Sequence, residues 1–210
     1  MTGTDWLTWH AHYDEPVSSL ARRLAAVQQQ IRAALDAAPP GPVKVVSVCA
    51  GQGRDLLGVL ADHPRRGDVT ARLVELDDRN AAAARRGVVS AGLTSVEVVT
   101  GDAALTDQYA GMVPADLVLM CGVFGNMTDA DVERTIGYCS QLCAENGVVV
   151  WTRGRWEPDL VPQVCAWYEE RGFERLWLSE PGVGYGAGVH RRTTAPEPLE
   201  RNARMFAFTR

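Results

Sequence analysis

The chain has 210 residues, of which 46% are hydrophobic, and this is enough apolar material for one well-buried domain but short for two. Its formal net charge of -5 at pH 7 argues against a surface that coats nucleic acid, because phosphate binding at physiological salt requires clustered Lys and Arg. A small-molecule partner is therefore expected.

The sequence gives no sign of export or membrane insertion. No apolar run approaches the roughly 20 residues that span a bilayer, and the first residues lack a signal-peptide pattern, so a cytoplasmic protein is expected. Five cysteines, an odd number without zinc-ligand spacing, indicate reduced core residues rather than disulfides or a metal site.

The N-terminal region divides into an arm and a helix. Residues 1–15 are rich in aromatics and histidines but lack strand alternation, which predicts an irregular arm that either packs on the domain or forms a lid. Apolar residues recur every three or four positions over Val17–Leu35 and predict an amphipathic helix, which would favour a homodimer if its apolar face were exposed. We take residues 1–42 as this arm and helix, and 43–210 as the main domain.

A glycine turn follows the first predicted strand. The β-branched run Val45–Val48 predicts a strand buried in a parallel sheet, and a helix begins close to Asp55. Gly51 and Gly53 lie between them, where backbone amides at a helix N-terminus can approach an anionic or acceptor-rich ligand. Leu56 stands where a dinucleotide-binding turn has its third glycine, which disfavours a nicotinamide dehydrogenase.

The second predicted strand, Ala71–Leu76, contains an acid near its end. Glu75 follows Gly51 by 24 residues, close to the roughly 20 expected between a glycine turn and a ribose-binding carboxylate. Ser95–Val99 and Asp116–Cys121 predict the third and fourth strands. Because parallel strands end at one edge of the sheet, their loops should converge on one crevice.

A fifth strand is predicted at 148–152, and helices are predicted between these strands and after the fifth. They cover Asp78–Ala91, a segment that begins after the cap Thr128 and ends at Asn146-Gly147, and Asp159–Arg171. Strict alternation of strand and helix predicts an α/β fold with a doubly wound parallel sheet and right-handed crossovers.

The tail departs from this alternation. Phe173–Leu178 predicts a sixth strand, Pro181–Gly188 a mobile turn, 189–191 a short strand and Arg204–Thr209 a terminal strand. No crossover helix follows Phe173, so the last strand should be antiparallel.

Over roughly residues 43 to 152, these motifs resemble the class I S-adenosylmethionine (SAM)-dependent methyltransferases. The resemblance implies a Rossmann-like, seven-stranded, mostly parallel sheet with an antiparallel last strand. It also implies SAM as cofactor, with its methionine portion on the glycine turn, its ribose on Glu75, and its adenine near Leu76 and Asp102. The cofactor-binding residues that it implies are Cys49, Ala50, Gly51, Gln52, Gly53, Glu75, Leu76, Asp102, Ala103 and Cys121.

Methyl transfer from a sulfonium to a small molecule is an in-line displacement with a neutral leaving group, so positioning and exclusion of water can supply much of the rate enhancement. If the acceptor arrives protonated, His190 and Tyr13 are the candidate bases. Asn126 and Arg153 are candidate substrate-binding residues, the latter as part of a clamp for an anionic substrate together with Arg155 and 191–192.

Each of these side chains also has a structural alternative: a packed histidine, a helix-capping asparagine or solvated arginines. Other uses of the cofactor, such as cyclisation, elimination or non-catalytic regulation, also stay open at this point.

Overall fold

The computed structural model describes residues 18–209, so Tyr13 and the rest of the predicted arm lie outside the described residues. One seven-stranded sheet runs through the described part in the order β3-β2-β1-β4-β5-β7-β6. Its strands are β1 (Val43–Val48), β2 (Val69–Glu75), β3 (Val96–Thr100), β4 (Ala115–Met120), β5 (Cys143–Gly154), β6 (Phe173–Leu178) and β7 (Tyr185–Arg192).

Helices cover both faces of the sheet, as the strand and helix alternation predicted. They are α1 (Ser19–Ala37), α2 (Arg54–Leu60), α3 (Asp78–Ser90), α4 (Asp129–Leu142) and α5 (Val161–Glu170). Side chains of α1, α2 and α3 pack in one core cluster, and those of α4, α5 and the C-terminal segment pack in the other. In residues 18–209, no helix is both long and apolar enough to cross a membrane.

The predicted N-terminal helix forms and belongs to the core. Ser18 caps α1, its hydroxyl accepting a hydrogen bond from the N–H of Ala21 at 3.0 Å. Val27, Ile31 and Leu35 lie on one helical face and are buried. The helix therefore turns its apolar stripe towards the sheet and α2.

The antiparallel last strand is confirmed, but the segment predicted to form it is wrong. β7 runs antiparallel between β5 and β6, and it includes half of the predicted mobile turn Pro181–Gly188. The predicted terminal strand Arg204–Thr209 contributes only an isolated bridge from Arg204 to Leu105.

The reason for this difference is close packing. A Cβ atom on Gly186 would lie 2.2 Å from Cγ2 of Val161, and one on Gly188 would lie 2.4 Å from the ring of Trp151. Glycine is therefore required at both positions because neighbouring side chains pack closely against the backbone, and not because the segment is a flexible turn.

The end of α4 also differs from the prediction. The helix ends at Leu142, and β5 begins directly at Cys143. Asn146, which has a φ of 64°, and Gly147 lie where the pairing with β4 shifts register, so they interrupt a strand rather than end a helix.

Replacing Gly188 with alanine should lower the free energy of unfolding by about 1–3 kcal/mol, because the added methyl group overpacks the buried Trp151 ring. Urea denaturation measures this loss. Gly182→Ala is the matched control, since a Cβ there meets no atom within 4 Å. Equal midpoints for the two variants would contradict this packing argument.

Candidate functional site

A cavity of about 820 Å³ opens at the carboxyl ends of the parallel strands, where the sequence analysis expected a crevice. Its wall is formed by loops that follow β1 to β5, by α1 and by the C-terminal segment. The predicted residues that line it are Cys49, Ala50, Gly51, Glu75, Leu76, Asp102, Ala103, Cys121, Asn126 and Arg153. Gln52, Gly53 and His190 were also predicted but do not line it.

The glycine turn begins directly after β1 with three left-handed residues, Cys49 (φ 52°), Gly51 (57°) and Gly53 (68°). Gly53 donates a hydrogen bond to the carbonyl of Ala50 at 2.8 Å, which closes the turn. A Cβ on Gly53 would lie 2.7 Å from a methyl group of Leu73 on β2, so this position requires glycine for packing as well as for its φ.

Gln52 supports the turn from outside the cavity. Its side-chain amide donates to the Oδ1 of Asn80 at 3.3 Å and accepts from the Nε of Arg54 at 3.0 Å. Gln52 and Gly53 thus hold the turn in shape, while Gly51 faces the cavity.

Glu75 is joined to the glycine turn by a hydrogen bond. The Gly51 N–H donates to its Oε2 at 2.7 Å, and the Asp77 N–H donates to its Oε1 at 2.9 Å. Burial raises the pKa of the Glu75 carboxyl, while the two backbone donors lower it. The carboxylate is therefore held in a fixed orientation, and each oxygen keeps a further lone pair for a ligand.

An apolar side chain lies next to this acid. Leu76 is 67% exposed although it lines the cavity, so a flat apolar ligand group could cover it.

Asp102 follows β3, and each of its two carboxylate oxygens also accepts a hydrogen bond. Its Oδ1 accepts from the Ala104 N–H at 3.0 Å, and its Oδ2 accepts from Nη2 of Arg204 at 2.7 Å. Ala103 is buried beside it, and its carbonyl accepts from the hydroxyl of Tyr109 at 2.7 Å.

The loop after β4 carries polar backbone groups towards β5. The Gly122 N–H donates to the hydroxyl of Thr152 at 2.8 Å, and the side-chain amide of Asn126 donates to the Gly122 carbonyl at 3.1 Å. Burial raises the pKa of the Cys121 thiol well above its usual value, and the nearby Asp55 adds to this rise. Cys121 is therefore a neutral wall residue and not a thiolate nucleophile.

Arg153, on β5, is a nearly buried cation of the cavity wall, with 7% of its surface exposed. It donates to the carbonyl of Phe124 at 2.5 Å and to Oδ1 of Asp129 at 3.3 Å. Its guanidinium lies 5.7 Å from the ring centre of Trp156. Burial lowers the pKa of Arg153, and Asp129 opposes this change.

The other arginines of the predicted clamp do not join it. Arg155 pairs with Asp159 and Arg191 pairs with Glu174, while Arg192 is buried and donates to the carbonyl of Ala195. None of the three lines the cavity.

The C-terminal segment forms a wall that the sequence analysis did not find. The Met205 N–H donates to the Ala104 carbonyl, and the Thr209 N–H donates to the Asn126 carbonyl, both at 2.8 Å. Residues 206–208, which include two phenylalanines, line the cavity between these anchors. The aromatic run was visible in the sequence, but strand pairing was the wrong interpretation of it.

Further wall residues missed by the sequence analysis are Arg23, Asp55, Thr152 and Trp156. Arg23 lies near the start of α1, far from the glycine turn in the sequence, so sequence spacing gave no reason to place it in the cavity wall. Asp55 was seen only as the start of a helix, although its place in the first turn after two glycines was a usable signal.

The structure places His190 in the core, so its predicted role as a base in the cavity is corrected. Its ring is 0% exposed and stacks on Trp151 and Tyr168, with ring centres 6.0 and 4.7 Å away. Its Nδ1 accepts a hydrogen bond from Nε1 of Trp151 at 3.0 Å. Burial, with a smaller contribution from the charge of Arg175, lowers the pKa of His190 to about 3, so the ring is neutral.

The sheet order, the antiparallel β7 and a cavity beside the glycine turn together form the architecture expected of class I SAM-dependent methyltransferases. Residues 18–170 match the model of a protein family described as "Putative methyltransferase". This match covers more than half of the chain, so the chain belongs to that methyltransferase family. No curated protein shows a significant sequence match to the chain.

Solved structures share the fold. An O-methyltransferase family protein from Burkholderia thailandensis is 18% identical with a TM-score of 0.68, covering 88% of this chain and 59% of that chain. The CurJ carbon methyltransferase is 15% identical with a TM-score of 0.71, covering 88% and 58%. An rRNA methylase from Streptococcus thermophilus is 12% identical with a TM-score of 0.59, covering 79% and 95%. The chain spans less than two thirds of the first two proteins, and at these identities the likeness establishes the fold.

The buried His190 should make the protein sensitive to acid. Its pKa is about 6.5 when unfolded and about 3 when folded, so the unfolded state binds more protons as the pH falls between these values. The contribution of the neutral His190 to the free energy of unfolding is therefore fully present above about pH 6.5. It decreases by up to about 1.4 kcal/mol per pH unit towards pH 3. Urea denaturation at several pH values measures this slope.

His190→Asn keeps an acceptor for the Trp151 N–H and should reduce the slope, even if the variant is less stable at neutral pH. Identical slopes for wild type and His190→Asn would refute the assignment.

Proposed function

We propose that this protein binds SAM in the cavity and transfers its methyl group to a small-molecule acceptor. The observation that carries the proposal is the hydrogen bond of 2.7 Å between Gly51 and Glu75, which places a glycine turn and a ribose-type acid side by side on the cavity wall. Family membership supports the methyl-transfer chemistry.

The cofactor's three parts match three regions of the wall. The turn residues Cys49–Gly51, which line the cavity just before α2, would hold the amino-acid portion. Glu75 would accept hydrogen bonds from the ribose hydroxyls, because its oxygens have further lone pairs. The exposed Leu76 and the nearby wall residue Asp102 would hold the adenine.

The acceptor occupies the other end of the cavity, where β4 and β5 end. Arg153 and Asn126 offer hydrogen-bond donors, and Trp156 and Phe208 are half-exposed aromatic surfaces. The cavity of about 820 Å³ lies within the range of roughly 300–1,000 Å³ typical of small-ligand sites. The net charge of -5 also favours a small molecule over a nucleic acid.

The residues of the cavity wall contribute to catalysis mainly by positioning the acceptor. The bound cofactor supplies an electrophilic methyl group and a neutral leaving group, so the protein's residues have to align the acceptor and exclude water. The C-terminal segment, anchored at Ala104 and Asn126, covers one side of the cavity and contributes to that exclusion. His190 takes no part because it lies in the core, and Tyr13 stays a candidate base.

Glu75→Ala should weaken binding of S-adenosylhomocysteine, the demethylated product, by about 1–3 kcal/mol, because charge-assisted hydrogen bonds to the ribose are lost. Isothermal titration calorimetry measures the affinity, and production of this product from SAM with a panel of small acceptors measures transfer.

Glu97→Ala is the matched control, because Glu97 is an exposed acid on the neighbouring strand β3 and does not line the cavity. It should bind like wild type. A wild-type protein that binds neither SAM nor its product would refute the proposed function, and an unchanged affinity in Glu75→Ala would refute the ribose assignment alone.

A further inference from the structure

The acceptor end of the cavity carries one charged side chain, and it is a cation. Among the described lining residues that follow β4 and β5, and in the C-terminal segment beyond Arg204, Arg153 alone is charged. Every described acid of the wall lies before β4 in the chain, in the part proposed to hold the cofactor. This end therefore complements an anionic acceptor rather than a cationic one.

Arg153 has the capacity to bind an anion. Among the described residues, its hydrogen bonds to Phe124 and Asp129 use two of the five N–H groups of a guanidinium. The side chain of Asp129 is 60% exposed, so solvent screens its charge. A nearly buried cation with so exposed a partner is costly unless a further anion compensates it. A carboxylate fits the planar guanidinium fork.

An aromatic surface lies beside this cation. The Trp156 ring is held against the backbone of β5, since a Cβ on Gly154 would overlap atoms of that ring. Half of the Trp156 surface is still exposed, and its ring centre lies 5.7 Å from the Arg153 guanidinium. A flat ring that carries a carboxylate could therefore cover Trp156 while the carboxylate reaches Arg153.

Phe208 adds a second aromatic surface to the same end. It packs on the buried phenylalanine two residues earlier, with ring centres 5.2 Å apart, and the Thr209 N–H that follows it donates to the Asn126 carbonyl. The neighbouring Gly125 borders the other aromatic surface, since a Cβ there would lie 3.2 Å from the Trp156 ring. The loop after β4 thus joins the two surfaces and fixes them before an acceptor binds.

The described wall offers no base for a protonated acceptor at this end. No histidine or tyrosine among residues 18–209 lines the cavity, and burial raises the pKa of the Cys121 thiol, so it is neutral. A carboxylate is already ionised at neutral pH and needs no base. One of its oxygens forms the new bond to the methyl carbon with a lone pair, and the electron pair of the broken carbon–sulfur bond stays on sulfur. The products are a neutral methyl ester and a neutral thioether, and no proton moves.

We infer that the methyl acceptor is a planar aromatic carboxylate, whose carboxylate binds Arg153 and whose ring covers Trp156. This inference rests on the proposed function and names the substrate class of the same site. An aliphatic acid would leave the aromatic surfaces uncovered, and a neutral aromatic molecule would leave the buried cation uncompensated. The short distance from guanidinium to ring favours a carboxyl group attached directly to the aromatic ring.

The test compares three ligands by calorimetry on the full chain saturated with S-adenosylhomocysteine. They are 2-naphthoate, its neutral analogue 2-naphthamide, and its saturated, non-planar analogue decahydro-2-naphthoate. The wild type should bind 2-naphthoate about tenfold to a hundredfold more tightly than the amide, and about threefold to tenfold more tightly than the saturated acid. With SAM in place of its product, mass spectrometry should detect the methyl ester of 2-naphthoate.

Arg153→Gln should lose about tenfold to a hundredfold in affinity for 2-naphthoate and little for the amide, because only the carboxylate needs the cation. Arg191→Gln is the matched control, since Arg191 pairs with Glu174 and does not line the cavity. An affinity for S-adenosylhomocysteine like that of wild type shows that a variant has kept its fold.

Trp156→Leu should lose about threefold to tenfold in affinity for 2-naphthoate and little for the saturated acid, because only the planar ring stacks on the indole. Trp177→Leu is its control, since Trp177 lies on β6 outside the cavity wall. If Arg153→Gln fails to fold, this variant and the wild-type comparison still decide.

Each outcome separates the two proposals. A wild type that binds S-adenosylhomocysteine but binds the three ligands equally, or none of them up to about millimolar concentration, would overturn the aromatic carboxylate and leave cofactor binding in place. Binding of 2-naphthoate without formation of its methyl ester would overturn the carboxylate as the methylated group. A wild type that does not bind S-adenosylhomocysteine would refute the proposed function, and the acceptor assignment with it.

Discussion

The hydrogen bond from Gly51 to Glu75 is the contact on which the site depends. β1 and β2 run parallel with Val48 beside Val74, so the glycine turn that follows β1 begins beside Glu75, the last residue of β2. The left-handed turn then brings the Gly51 N–H to 2.7 Å from the Glu75 carboxylate. Neither group could be held in this way without the other, because the turn needs an acceptor and the half-buried acid needs a donor.

The rest of the cavity is built on the rigidity of β5 and its neighbours. Trp151 is fully buried, stacks with Tyr168 and His190, and has its indole N–H satisfied by His190. The next residues of the strand, Thr152 and Arg153, are cavity wall. His190, a candidate base in the sequence analysis, thus has a structural role, since it supports the strand that carries the proposed acceptor side.

The C-terminal segment completes the enclosure without joining the sheet. Arg204 pairs with Asp102 at one end and Thr209 bonds to Asn126 at the other, so the segment links the proposed adenine side to the proposed acceptor side. Closing a cavity with a bonded segment excludes water and strengthens the electrostatic interactions inside. Asp102 and Arg153, two charged groups of the wall, accordingly have defined partners in Arg204 and Asp129.

The sequence by itself determined the alternation of strands and helices, the glycine turn and the acid of β2, because these follow from local periodicity and from residues with special backbone freedom. Only the tertiary structure decided that Tyr185–Arg192 is the inserted strand, that His190 is buried, and that 204–209 is cavity wall. The physical reason is that these outcomes depend on contacts between residues distant in the chain, such as Gly188 with Trp151 and Thr209 with Asn126. Burial and pairing of this kind leave no periodic trace in a short segment.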